Sequence, residues 1–166
     1  MEKILSITLV TIFLIGINAL AYGGDNEKAT GEIITHYMNE HIVFDAQETE
    51  PSANLGKGSV SYSRPAEFVY QFDVKYVRVE PAEHVAWFAG QVTYTSNGED
   101  LGRWMSFVVC DEVSEKCQTD MHGSHWIPDG QPVEDQEAIA LEWVKNGLPD
   151  PYKSAIAIEG NLTVHQ

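Results

Sequence analysis

The stretch Glu67–Thr95, EFVYQFDVKYVRVEPAEHVAWFAGQVTYT, decides the fold class. Phe68, Tyr70, Phe72, Val74 and Tyr76 take every second position, with Gln71, Asp73 and Lys75 between the later ones. A period of two belongs to a strand with one face toward a core, because successive side chains point to opposite faces. After Tyr76 the apolar set moves by one residue, to Val77 and Val79. A one-residue slip turns every side chain to the other face, so the pattern predicts a bulge or bend at Tyr76 and Val77. Pro81-Ala82-Glu83-His84 reads as a turn. The chain then returns as a strand with Ala86, Phe88, Val92 and Tyr94 on one face, and Gly90 marks a kink or a close backbone approach.

Working outward, the same reading extends to most of the chain. Residues Tyr22 to Gly31 are polar and read as a loose lead-in. Ile42, Phe44 and Ala46 alternate with Val43, Asp45 and Gln47, which predicts a strand over 40–48, and a further one is expected at 32–37. GKGSVSYSR places Val60 and Tyr62 among small polar residues. Downstream, SNGED supplies an Asn-Gly turn and GRWMSFVVC the next strand, so three long strands joined by short turns form an antiparallel meander. Val133 to Asn146 differs: Ile139, Leu141, Trp143 and Val144 sit among acids, with Gly147 and Pro149 just beyond, which predicts one amphipathic helix. AIAIEGNLTVH closes the chain as a strand pair or a kinked single strand. The expected fold is an antiparallel β-sandwich or flattened barrel of about seven or eight strands, with one helix near the C-terminus packed across an open end or face.

The N-terminus carries Lys3, an apolar run from Ile4 to Leu20, and small residues at Ala19 and Ala21. This is the pattern of a secretory signal peptide over residues 1–21, with the mature chain starting near Tyr22. The run is barely long enough to span a bilayer of ~30 Å and contains Ser6, Thr8, Thr11 and Asn18, so no stable membrane anchor is expected after cleavage. Residues 22–166 suit one mainly-β domain that buries roughly 68 to 70% of its unfolded surface. The chain has 10 basic and 25 acidic residues, a net charge of -15. Such a chain repels phosphate backbones, and nucleic acid is not an expected partner.

Four pieces of the chain also stand in a suggestive order: IVFDAQ, then DVKYVRVEPAEHVAWFAGQVT, then VVCDE at a strand end, and finally EGNLTVH. In that order they resemble a group of small exported bacterial proteins of unknown function, similar to post-COAP-type β-domains. There the corresponding pieces are an F-x-F-N-A strand, an A-W-x-x-G-x-V-T strand, a V-x-D before a glycine-rich acidic loop, and a terminal G-N-hydrophobic-x-V. The likeness covers most of the mature chain and implies an all-β exported domain, but brings no catalytic residues. The chain departs from the group at CDEVSEKC, where a D-x-G-type loop is usual.

That segment, continued as CDEVSEKCQTDMHGSHW, holds both cysteines, Cys110 and Cys117, together with His122 and His125. As a zinc site it would read C-x6-C-x4-H-x2-H, a poor fit to the two-to-four and three-to-five residue spacings of structural zinc. A redox pair would have the C-x-x-C spacing, which is absent here. In an oxidising compartment the simplest reading is a disulfide, with Cys110 ending one strand and Cys117 beginning the return opposite it. Asp111, Glu112, Glu115 and Asp120 could offer oxygens to a hard cation, but no calcium-loop pattern supports this, and they read as solvated loop acids. HGSH lacks the G-x-S-x-G elbow of a serine nucleophile and reads as polar loop. His36, His41, His84 and His165 stand singly and read as surface or turn residues, and the four tryptophans as members of one core. Asn161-Leu162-Thr163 matches a glycan acceptor, which the bacterial resemblance discounts.

No cofactor or metal is expected. The leading functional reading is a non-enzymatic exported binding or structural domain of the envelope or extracellular space. Two alternatives stand beside it: a lipocalin-like binder of a small apolar ligand, and a hydrolase using the His122 and His125 loop with nearby carboxylates.

Overall fold

In a computed structural model, the chain is described over residues 27–36, 39–65, 67–114, 117, 119–127, 130–148 and 154–165. The proposed signal peptide lies outside the described residues. Eight strands follow in order: β1 (Lys28–Thr35), β2 (His41–Glu50), β3 (Leu55–Arg64), β4 (Phe68–Glu80), β5 (Val85–Thr95), β6 (Trp104–Cys110), β7 (Met121–Trp126) and β8 (Ser154–His165). The helix α1 (Val133–Asn146) lies between β7 and β8. Each strand pairs antiparallel with the next, and β8 pairs with β1 from Lys28↔His165 to Thr35↔Ala157, so the meander closes into a barrel. Of the two architectures expected, the barrel is the one formed. Strand β1 already begins at Lys28, because Ala29 faces the interior at 0% exposure, so the expected lead-in to Gly31 is shorter than its polarity suggests.

The shift of phase in the opening stretch is the device that serves two cores. Phe72 and Val74 face the barrel interior, the β4–β5 register breaks between Val74 and Tyr76, and Val77 and Val79 face inward again. Tyr76 is left pointing outward, where it stacks on Trp104 beneath α1 at 5.8 Å between ring centroids. A second register break between Gln71 and Phe72 turns Tyr94 out to 50% exposure, against the inward placement its alternation predicts. Gly90 is the predicted close approach: a Cβ there would stand 2.8 Å from the Asp73 carbonyl oxygen.

The middle of the barrel is filled. Phe88 stacks on Phe44 and Phe107 at 5.5 and 5.3 Å, and Phe72 meets Phe107 edge-on at 5.3 Å. Helix α1 covers the outer face of β4, β5 and β6, burying Ala140 and Val144 against Tyr76, Ala89 and Trp104. The buried Gln136 accepts a hydrogen bond from the Trp104 amide and donates one to the Gln131 carbonyl. The tryptophans therefore do not share one core: Trp87 and Trp104 pack outside the barrel under the helix, Trp143 packs there from the helix itself, and Trp126 packs against the interior. No described helix is long and apolar enough to cross a membrane.

Candidate functional site

At one end of the barrel, where β3 ends and β4 begins, the interior becomes polar. Glu40 and Arg64 have the same parity as the inward-facing Ile42 and Tyr62, so a carboxylate and a guanidinium are carried into the mouth of the barrel. Glu40 is 4% exposed, and its Oε1 accepts from Arg64 Nη2 at 2.8 Å, from Arg64 Nε at 3.1 Å, and from the Tyr62 hydroxyl. Burial, and after it the hydrogen bond to Glu40, pushes the Tyr62 hydroxyl well above the ordinary phenol range. Tyr62 is therefore a fixed donor to Glu40 at neutral pH. The Arg64 guanidinium lies over Phe68 at 5.2 Å, and Phe68, Tyr70 and Trp126 continue the aromatic wall.

His122 sits behind this cluster. It lies on β7 opposite Val109, is 2% exposed, and its ring is tilted against Tyr62 at 6.4 Å and Phe107 at 6.0 Å. Neither Nδ1 nor Nε2 has a hydrogen-bond partner among the described residues. Burial alone lowers its pKa to about 4, so the imidazole is neutral, with one nitrogen a donor and the other an acceptor.

These positions correct the reading of HGSH as a polar loop. The segment is a strand because β6, buried at every position, offers its ladder from Met105 to Cys110, and pairing overrides the weak propensity of Gly and Ser. Strand alternation then separates the two histidines. His122 faces the interior, whereas His125 faces outward against Trp143 at 5.0 Å, so the two cannot serve one reacting centre. Ser124 shares the parity of His122, yet neither nitrogen of His122 bonds to it. A hydrolase built on the His122 and His125 pair lacks its geometry.

The two cysteines are joined, with Cα atoms 6.2 Å apart. The bridge is not the expected cross-strand one: the residue opposite Cys110 is Met121, and Cys117 lies within the loop. Asp111 and Asp120 are 6% and 8% exposed and are not solvated. Asp120 Oδ2 accepts from the Leu162 amide and Oδ1 from the Glu112 amide, each at 2.9 Å, and Asp111 Oδ2 accepts from the Val164 amide at 3.3 Å. Glu112 itself is exposed, and Glu115 lies outside the described residues. Among the described residues no three His, Cys, Asp or Glu side chains are grouped to hold a metal ion.

Glu40, Tyr62 and Arg64 were not singled out by the sequence reading. The available signal was parity: Glu40 and Arg64 extend the inward-facing sets of Ile42 and Val60, where a charged residue needs a partner. Comparison with protein-family models, with curated proteins and with solved structures finds no match to this chain.

Proposed function

We propose that the protein is an exported, non-enzymatic binding domain that takes a small ligand at the Glu40–His122 end of the barrel. The observation that carries this is His122, buried with both ring nitrogens unpartnered in an aromatic surround. Each such atom costs about 1 to 3 kcal/mol, which a complementary group would recover. The ligand class that suits it has a compact apolar body for the rings and one hydroxyl or amide to meet a neutral imidazole. The Glu40–Tyr62–Arg64 cluster supports the reading as a rim already fixed in place. Phe44, Phe72, Phe88 and Phe107 fill the centre, which argues against a deep lipocalin-like cavity.

Export is supported by the leader-like N-terminus and by the disulfide, and the resemblance to post-COAP-type domains would place the protein in a bacterial periplasm or outside the cell. The charge of -15 opposes nucleic acid as a partner. Native mass spectrometry of protein taken from its own host tests the reading. The expected result is a chain beginning near Tyr22 that carries a small-molecule adduct, lost on denaturation and absent from His122→Phe. A bare polypeptide in both would count against the pocket.

A further inference from the structure

We propose that the ligand taken at this end of the barrel is a cation, a compact alkylated ammonium that also carries a hydroxyl, held among a closed circuit of ring side chains. This rests on the function proposed above and adds the charge of the ligand to it. Phe68, Tyr70 and Phe72 are alternate residues of β4 that face the core, with neighbouring ring centroids 4.7 and 6.1 Å apart. From Phe72 the circuit crosses to Phe107 on β6 at 5.3 Å and to His122 on β7 at 6.0 Å. It returns through Tyr62 on β3 at 6.4 Å and closes on Phe68 at 5.8 Å. Apart from the partly buried Phe68, every member is at most 6% exposed. The faces of aromatic rings attract positive charge, and the attraction grows where water is excluded.

The charges and hydrogen bonds around the circuit favour the same class of ligand. Two of the chain's three arginines already lie over rings of this group, Arg64 over Phe68 at 5.2 Å and Arg103 over Trp126 at 4.9 Å. Each is also tied to a carboxylate, Arg64 to Glu40 and Arg103 to Asp100, so neither brings an uncompensated charge that would call for an anion. A phenol has one proton to give. Tyr62 gives its own to Glu40 and Tyr70 gives its own to Asp100, so both oxygens have only lone pairs left to offer. A carboxylate ligand would set its lone pairs against these, whereas an ammonium is drawn to them. The neutral His122 offers one donor and one acceptor, which a hydroxyl on the same ligand can meet together. The net charge of -15 adds a long-range attraction for cations.

Choline, its neutral carbon analogue 3,3-dimethyl-1-butanol and the anion 3,3-dimethylbutanoate are close in shape and differ in charge, so calorimetric titration of the exported chain with each isolates the cation. Choline should bind at least about tenfold more tightly than either. Phe107→Leu takes one ring out of the circuit and should shrink that preference several-fold. Phe88→Leu removes an equally buried ring that stacks on Phe107 from outside the circuit, and should leave the preference unchanged. Urea unfolding checks that both variants fold, and Tyr70→Leu repeats the ring removal nearer the rim if Phe107→Leu does not. Sedimentation with vesicles separates a free ammonium from a lipid headgroup. The protein should stay in the supernatant, whereas pelleting with phosphatidylcholine but not phosphatidylglycerol would keep the ammonium and assign it to a lipid. Equal affinity for the three probes, tighter binding of the carboxylate, or no binding of choline overturns the cation. An adduct on the native protein would then leave the pocket standing with a ligand of other charge, and a bare polypeptide would remove both.

Discussion

An imidazole at 2% exposure with neither nitrogen bonded stays neutral because its charged form would have no compensation. In the unfolded chain it titrates near 6.5, in the fold at about 4. Between these values the unfolded state binds more protons, so stability falls as the pH drops through that window. From pH 7 to pH 5 the loss attributable to His122 is about 2 kcal/mol. Urea unfolding at both pH values should therefore show His122→Leu losing about that much less than the parent chain, and an identical loss in both proteins would contradict the assignment. Glu48, at the opposite end of the barrel, has the reverse sign. It is 4% exposed and accepts from the Val79 amide at 2.7 Å, while burial raises its pKa above the ordinary 4.5. The folded state is then the one that favours the protonated form, so at neutral pH the ionised Glu48 carries a penalty that disappears as pH falls through the raised value. Glu48→Gln keeps the acceptor and removes the charge. Its expected outcome is a higher urea midpoint at pH 7 and no advantage in acid.

Among the elements, β4 and β8 each carry an irregularity, and only one was legible beforehand. In β4 the outward Tyr76 follows from a visible change of phase, since five alternating apolar residues precede Val77 and Val79. In β8 the extra residue is Ile158: Ile34 pairs with Glu159 and Thr35 with Ala157. Gly160, just beyond, has φ +103°, and a Cβ there would stand 2.0 Å from the Glu32 carbonyl oxygen. The sequence AIAIEGNLTVH shows a glycine in a strand, hence a kink, but not which neighbour the kink admits. Gly160→Ala is expected to cost about 2 kcal/mol or more in urea unfolding, from positive φ and from displacing β1. Gly98→Ala, with φ +76° and nothing within 4 Å, serves as the control and should cost about 1 kcal/mol. Equal costs would mean that the β1–β8 approach is looser than the backbone positions imply.

At the level of the whole molecule, alternation was enough to read strand β2, the three-stranded meander β4 to β6 and the helix, because the meander strands meet their partners through short turns. The parts that stayed hidden depend on closure. Met121–Trp126 has no alternation to read and becomes a strand only because β6 supplies its ladder. Asp111 and Asp120 looked solvated because their partners, Val164 and Leu162, lie more than forty residues away in sequence. Glu40 and His122 are brought together around Tyr62 only once β7 has come round to face β3. The same dependence makes β8 indispensable. It gives β1 eight paired positions, contributes Leu162 and Val164 to the interior at 2% and 6% exposure, and supplies the amides that bury Asp111 and Asp120. Without it both β1 and β7 present open edges, and an edge with unpaired amides beside exposed apolar surface is a template for association. A chain of residues 22–153 should therefore show no cooperative urea transition and should self-associate in analytical ultracentrifugation. Adding a synthetic peptide of residues 154–166 should restore a single transition and a monomeric complex, since the missing piece is one whole strand with its own register. Cooperative unfolding of the truncated chain alone would mean that β1 to β7 hold together without closure, and that the bonds from β8 to Asp111 and Asp120 are an accessory to the barrel.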